Sequence, residues 1–184
     1  MTAFRDLSQH ILDIAENGTK AGATLLHITI TEDLDADRLT ITLRDNGSGM
    51  DAEMVRRVTD PWVTTRTTRK VGLGIPFLKQ TAEMCGGHFA IQSQLGQGTT
   101  TQAAFQHSHI DRPPLGDLIG TLICIVVGYP ALDLLYQHQV DGREFTLDTR
   151  EIREVLGADV PLSDPEVLGF LRGTLVEGLR DIQA

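Results

Sequence analysis

The residues of this chain that could do chemistry fall into separate groups. One is Asp45-Asn46-Gly47-Ser48-Gly49-Met50, which follows the alternating run Leu39-Thr40-Ile41-Thr42-Leu43-Arg44. Asp45 falls in phase with Leu39, Ile41 and Leu43, so a carboxylate stands at the end of an apolar stripe. Burying a carboxylate unpaired is costly. The glycines beyond it let the backbone turn sharply and come close to a ligand. The partner that suits such a carboxylate is the exocyclic amine of a purine, held where the strand ends. The same hexapeptide is also a common D-N-G turn, and taken alone it favours the turn.

A second group lies near the N-terminus. Asp13 and Asn17 are four residues apart on a helical pattern, and so share one face, a turn apart. Glu16 neighbours them, with Lys20 one turn beyond it. A carboxamide oxygen can ligate a hard cation such as Mg2+, and a carboxylate can orient or deprotonate a water. A solvated helix face is the commoner meaning of such a pair. A third group is Trp62-Val63-Thr64-Thr65-Arg66-Thr67-Thr68-Arg69-Lys70, a polar, basic stretch that reads as a lid whose hydroxyls and cations close over phosphates. It runs into Val71-Gly72-Leu73-Gly74-Ile75-Pro76, glycines opening a helix. Helix N-termini offer free N–H groups and the positive end of the dipole, which suits phosphate.

The rest of the chain must position these groups. Its 184 residues suit one domain, or one domain with a small appendage. The net charge of −9 argues against a nucleic-acid or anionic-membrane surface. Only Cys85 and Cys124 are present, without metal-ligand spacing, which fits a reducing, cytoplasmic setting. The N-terminus has no apolar signal core, and the uncharged run Leu118–Leu132 is shorter than the ~20 residues that span a bilayer.

Helical spacing of Phe4, Leu7, Ile11, Ile14 and Ala15 predicts a helix over 4–17 that Gly18 stops or loosens. Alternation predicts strands over 25–32 and 39–45, paired antiparallel. A short helix over 51–58 follows, with Asp51 as N-cap. Ile75, Leu78, Ala82 and Cys85 make the core stripe of the next helix, with Pro76 in its first position and Gly86-Gly87 ending it. Strands over 89–94 and 99–106 flank a glycine turn. His27 is read as structural or solvated, and His88, His107 and His109 as surface residues. After a linker over 111–116, the β-branched run Leu122–Val127 reads as a buried strand. A hairpin turns at Asp141-Gly142, and helices cover 149–156 and 165–182, the last with a core stripe of Leu168, Leu171, Leu175 and Leu179. A partner-binding face is the second reading of that stripe.

The order of motifs resembles the GHKL superfamily of ATPases: gyrase B subunits, heat-shock chaperones, sensor histidine kinases and DNA mismatch-repair ATPases. The resemblance covers about Leu7 to Phe105. It rests on Asp13…Asn17, on Asp45-x-Gly47-x-Gly49, on the basic lid and on Gly72-x-Gly74 opening a helix. Pro61-Trp62-Val63-Thr64-Thr65-Arg66 resembles a kinase lid, and Ser93-x-x-Gly96-x-Gly98-Thr99 the closing motif of kinase ATP-binding domains. Glu16-Asn17-Gly18-x-x-Ala21-Gly22-Ala23 is closer to the mismatch-repair version of the first motif.

Residues 111–184 lie outside the resemblance and read from their own pattern as a small α+β C-terminal extension, expected as a partner or dimerisation module. The resemblance implies an α+β fold, a two-layer α/β sandwich of the Bergerat type, over residues 1–110. It implies ATP and Mg2+ as cofactors. Asn17 is the metal ligand and, with Lys20, contacts the nucleotide. Asp45, Gly47, Gly49 and Met50 hold the base. Thr65, Arg66 and Lys70 come from the lid, Val71, Gly72, Leu73 and Gly74 from the glycine motif, and Thr99 from the last strand. Hydrolytic members carry a glutamate four residues before the asparagine as general base. Here Asp13 holds that place on a stem one methylene shorter, and Glu16 is a nearby alternative. No hairpin with a phospho-accepting histidine precedes the domain, so a kinase's acceptor would lie on another chain. The expected function is a standalone ATP-Mg2+-binding domain acting as a histidine-kinase-like or anti-sigma-like regulatory kinase. A slow ATP-hydrolysing switch and a non-catalytic ATP sensor are the alternatives. A protein partner and a homodimer are expected, and neither nucleic acid nor membrane.

Overall fold

The computed structural model describes residues 6–59, 74–157 and 160–183. Strand alternation is the plainest link from sequence to structure. In β1 (Leu25–Asp33) the even positions Leu26, Ile28 and Ile30 are buried, and in β2 (Arg38–Asp45) the odd positions Leu39, Ile41 and Leu43. The two pair antiparallel, with Ile28 opposite Leu43 and Ile30 opposite Ile41, so both stripes face the same side. β3 (His88–Gln94) and β4 (Gly98–Gln106) form a hairpin, and β4 pairs with β2. β5 (Asp133–Val140) and β6 (Arg143–Asp148) form another, turning at Asp141 and Gly142. Both turn residues have positive φ, 47° and 83°, the backbone of a tight hairpin with right-handed strand twist. β5 lies parallel to β1, giving one six-stranded sheet in the order β3-β4-β2-β1-β5-β6.

Helices cover the apolar face, and the result is a two-layer α+β sandwich. α1 (Leu7–Lys20) is capped by the Asp6 carboxylate, which accepts from Gln9 N at 3.1 Å. It buries Leu7, Ile11, Ile14 and Ala15, the leucine and the two isoleucines contributing about 1.5–3 kcal/mol each. α2 (Ala52–Thr59) starts at Asp51, whose Oδ1 accepts from Met54 N at 2.8 Å. α3 (Gly74–Met84) packs on β3 and β4, with Pro76 in its third position rather than its first. The later helices are α4 (Leu118–Gly128), α5 (Thr149–Leu156) and α6 (Pro165–Gln183). One continuous apolar core runs from Leu7 and Ile11 through Ile28 and Tyr136 to Leu171 and Leu175.

The structure corrects the sequence at several places. The run expected as a buried strand, Leu122–Val127, lies within helix α4. It buries Leu118, Thr121, Leu122, Ile125 and Val126 and is capped by Asp117 Oδ1, which accepts from Gly120 N at 2.8 Å. Those positions follow helical spacing, and burial against α1 and α6 overrides the β-preference of the branched side chains. Gly18 does not stop α1, which runs on to Lys20. A Cβ at Gly18 would stand 3.1 Å from Asp45 Cβ, so the glycine serves a close approach of helix to strand. His107 is no simple surface residue. Its Nε2 bonds Glu32 Oε2 at 2.8 Å, and Glu32 Oε1 meets Nε2 of the fully buried His138 at 2.8 Å. Nδ1 of His138 in turn meets the Tyr136 hydroxyl at 2.9 Å.

Candidate functional site

Asp45 ends β2 opposite Thr99 of β4 and Leu26 of β1. Its Oδ1 accepts from Gly47 N at 2.9 Å, an Asx-type turn that fixes the carboxylate's orientation. Neighbouring residues lock the turn. Asn46 Oδ1 accepts from Thr24 N and Leu25 N at 2.8 and 2.9 Å, and Asn46 Nδ2 donates to Thr24 Oγ1. Ser48 N donates to Ala21 O at the end of α1, and Ser48 O accepts from Gly96 N of the β3–β4 turn, both at 2.8 Å. Gly49 has φ 65°, and a Cβ there would overlap the Gln94 carbonyl. Here only glycine permits both the left-handed backbone and the approach of the hairpin.

This turn forms one end of a cavity of about 280 Å3. Asn17 and Lys20 of α1, Asp45, Gly49, Met50 and Thr99 all line it. Gly47 packs on Ala21 beside it. Sequence reasoning missed much of the wall. Ile14 and Ala21 lie three and four residues from Asn17, and Gly18 lies four from Ile14, so helical spacing pointed to them. Met54 and Val58 follow Met50 at intervals of four, and Thr101 follows Thr99 on the same strand face. Ile75, the second residue of α3, completes the apolar side. Ser93 braces the site: its Oγ accepts from Met50 N at 2.8 Å and lies 3.0 Å from Gly98 O and 2.8 Å from Thr99 Oγ1.

Asp13 and Glu16 stand outside this lining. Glu16 is drawn into an exposed pair with Lys20 at 3.2 Å. Asp13 Oδ2 is buried with no hydrogen-bond partner among the described residues. It lies against Gly74, where a Cβ would overlap it. Burial raises the Asp13 pKa above the ordinary carboxylate value, and the Glu16 charge adds to the rise, while Lys20 and the Asn17 carboxamide oppose it. Thr65, Arg66, Lys70, Val71, Gly72 and Leu73, and with them the lid, lie outside the described residues. Gly74 opens α3, as the glycine motif requires.

Residues 2–109 match the family described as histidine kinase-, DNA gyrase B- and HSP90-like ATPases. The chain belongs to this family. These residues form a histidine-kinase-like ATP-binding domain. A putative sensor protein of Shewanella frigidimarina is 31% identical over 103 residues, a match that takes in 55% of this chain and 16% of that protein. Sporulation kinase C of Bacillus subtilis is 28% identical over 96 residues, 52% of this chain and 22% of the kinase. The chain thus matches less than a quarter of the length of either relative. Among solved structures, the N-terminal domain of a DNA repair protein superposes with a TM-score of 0.57 at 16% identity, covering 85% of this chain and 58% of that one. That likeness is one of fold.

The donor set of this ATPase-family cavity fits a nucleotide. A carboxylate with one oxygen pinned by Gly47 keeps the other for a base amine, and the Ile14, Met50 and Ile75 side chains offer apolar cover. Among the described residues no cluster of three His, Cys, Asp or Glu side chains is placed to hold a metal ion. A cation here would rest on Asn17 and on the nucleotide's own phosphate oxygens, as Mg2+ commonly does.

Proposed function

We propose that the chain binds ATP with Mg2+ in this cavity and acts as a regulatory kinase in signal transduction, passing the γ-phosphoryl group to an acceptor on a partner protein. The observation that carries this reading is the convergence of Asp45, Asn17, Gly49 and Thr99 on one apolar-walled cavity. Asp45 accepts from the adenine amine, Asn17 offers its carboxamide oxygen to the cation, and the start of α3 faces the phosphates. Bound Mg2+ supplies charge neutralisation on those phosphates. His10 is unsuited as the acceptor, because it is 3% exposed inside α1 and bonded to the Gly74 backbone. That a sensor protein and a sporulation kinase are relatives supports a kinase role.

A second reading, a slow ATP-hydrolysing switch, has its own observation. One oxygen of the Asp13 carboxylate, Oδ2, is buried beside Gly74 without a partner among the described residues, and the group's pKa is raised, which suits a base that takes a proton from an attacking water. Incubation with γ-labelled ATP and Mg2+ separates the readings. A hydrolytic switch releases labelled phosphate, and Asp13→Ala lowers that rate by about 100-fold or more while ATP binding persists. A kinase transfers label to a co-purified protein at a rate that Asp13→Ala leaves intact. Binding without release or transfer would mark a sensing module. Absence of ATP·Mg2+ binding by the wild type would sink all three.

A further inference from the structure

Away from the nucleotide cavity, α5 and α6 leave a groove of about 530 Å3 between them. Its walls are Ile152, Val155 and Leu156 at i, i+3 and i+4 on α5, with Val167 and Phe170 on α6. Val155 is 88% and Phe170 61% exposed, unusual for side chains that share an apolar face with a neighbour. The groove's charged lining is Glu151 and Glu166. Neither makes an ion pair among the described residues, whereas the cations of α5 are engaged: Arg150 with Asp148 at 2.6 Å and Arg153 with Asp133 at 2.8 Å. Among the described residues the groove therefore presents an apolar floor flanked by anions without an ion-pair partner, and its lining offers no side-chain donor to orient a small polar ligand.

We propose that this groove docks a cationic amphipathic helix of a partner protein, its apolar side chains at i, i+3, i+4 and i+7 seated between Val155 and Phe170 and its Lys or Arg residues facing Glu151 and Glu166. Charge complementarity selects this occupant over a second copy of the chain. Two copies meeting groove to groove would bring four carboxylates together on molecules that each carry a net charge of −9. The groove is built by α5 and α6 alone, so docking is independent of whether the other cavity binds ATP.

The test uses the full chain and a labelled designed peptide, a leucine-faced helix with lysines on its flanks, followed by fluorescence anisotropy. Saturable one-to-one binding is expected. It should weaken on the order of tenfold when Glu151→Lys and Glu166→Lys are combined, and also with Phe170→Ser, each variant checked for native melting. Raising the salt should weaken it too, while a peptide with glutamate flanks should not bind and Asp45→Asn should leave binding unchanged. Equal binding by the charge-reversed protein, or by Phe170→Ser, would overturn the proposal. So would a concentration-dependent dimer in sedimentation that Phe170→Ser dissolves, since a second copy would then be the occupant.

Discussion

Replacing Asp45 with asparagine alters the hydrogen-bonding sense of one atom and little else. Asparagine keeps an Oδ1 acceptor for Gly47 N, which Asp45 holds at 2.9 Å. The reversed amide would set an NH2 against that N–H, so the orientation is decided by the turn. The strand pairings at Thr99 and Leu26 are main-chain and survive. The position of Oδ2, however, becomes a donor pointing at the adenine amine, itself a donor. A charge-assisted bond is lost and a donor is left unpaired, at a cost of about 1–3 kcal/mol. ATP affinity should fall by about 5- to 150-fold at 25 °C. The same donor suits the C6 carbonyl of guanine, so the preference for ATP over GTP should narrow as well. Isothermal titration with each nucleotide measures both effects, and far-UV circular dichroism confirms that the fold is unchanged. Unaltered ATP affinity, or an equal loss for ATP and GTP, would refute the assignment of Asp45 to the base.

The remaining predictions concern what holds the site and the sheet. Gly74→Ala places a methyl on Asp13 Oδ2 and should destabilise by about 1–3 kcal/mol. Adding Asp13→Ala should restore stability, a coupling that a double-mutant cycle in urea reads directly. Ser93→Ala strands Met50 N, and chemical denaturation should report a loss of about 1–2 kcal/mol together with weaker nucleotide binding. Glu32→Gln removes the carboxylate that accepts from both His107 and His138, for an expected loss of about 2–4 kcal/mol at pH 7. Bonding to His138 is the largest cause of the lowered Glu32 pKa, and bonding to His107 adds to it against the opposing effect of burial. Its contribution is therefore present above the unfolded carboxylate pKa of about 4.3 and is lost as pH falls through the folded value. Wild type and variant should converge in stability as pH falls below the unfolded carboxylate value and through the lower folded one, and a gap that stays constant from neutral to strongly acid pH in thermal melts would contradict the network.

Local signals were legible and long-range ones were not. Alternation gave β1 and β2 to the residue or nearly so, because a half-buried strand writes its period into its own sequence. The Asp141-Gly142 hairpin was equally plain, since only such a pair takes two successive positive φ angles easily. Glycines misled where their reason lay elsewhere. Gly18 reads as a helix breaker, but what demands glycine is Asp45, 27 positions away in sequence and 3.1 Å from where a Cβ would be. The hydrogen-bond network of Glu32, His107, His138 and Tyr136 gathers residues from β1, β5 and the end of β4, and no window of sequence contains them. α4 failed for the opposite reason. Its apolar run is too uniform for period to show, and burial against two helices decided its form.

The joint between β5 and the cavity at Asp45 is of the same illegible kind. Asp133 opens β5, and its main-chain N donates to Thr24 O at 2.8 Å. The Thr24 amide and hydroxyl are in turn held by Asn46, the residue after Asp45. On its other side, Asp133 Oδ1 pairs with Arg153 of α5, which also donates to Pro130 O at 2.7 Å. One short polar chain therefore runs from the turn at Asp45 to the helix that walls the groove. Each link joins residues distant in sequence, and each is a common polar type that would pass as solvated. Sequence patterns expose apolar stripes because burial repeats along an element. A single hydrogen bond between elements repeats nowhere, so it takes the assembled sheet, with β5 laid parallel on β1, to bring these partners into line.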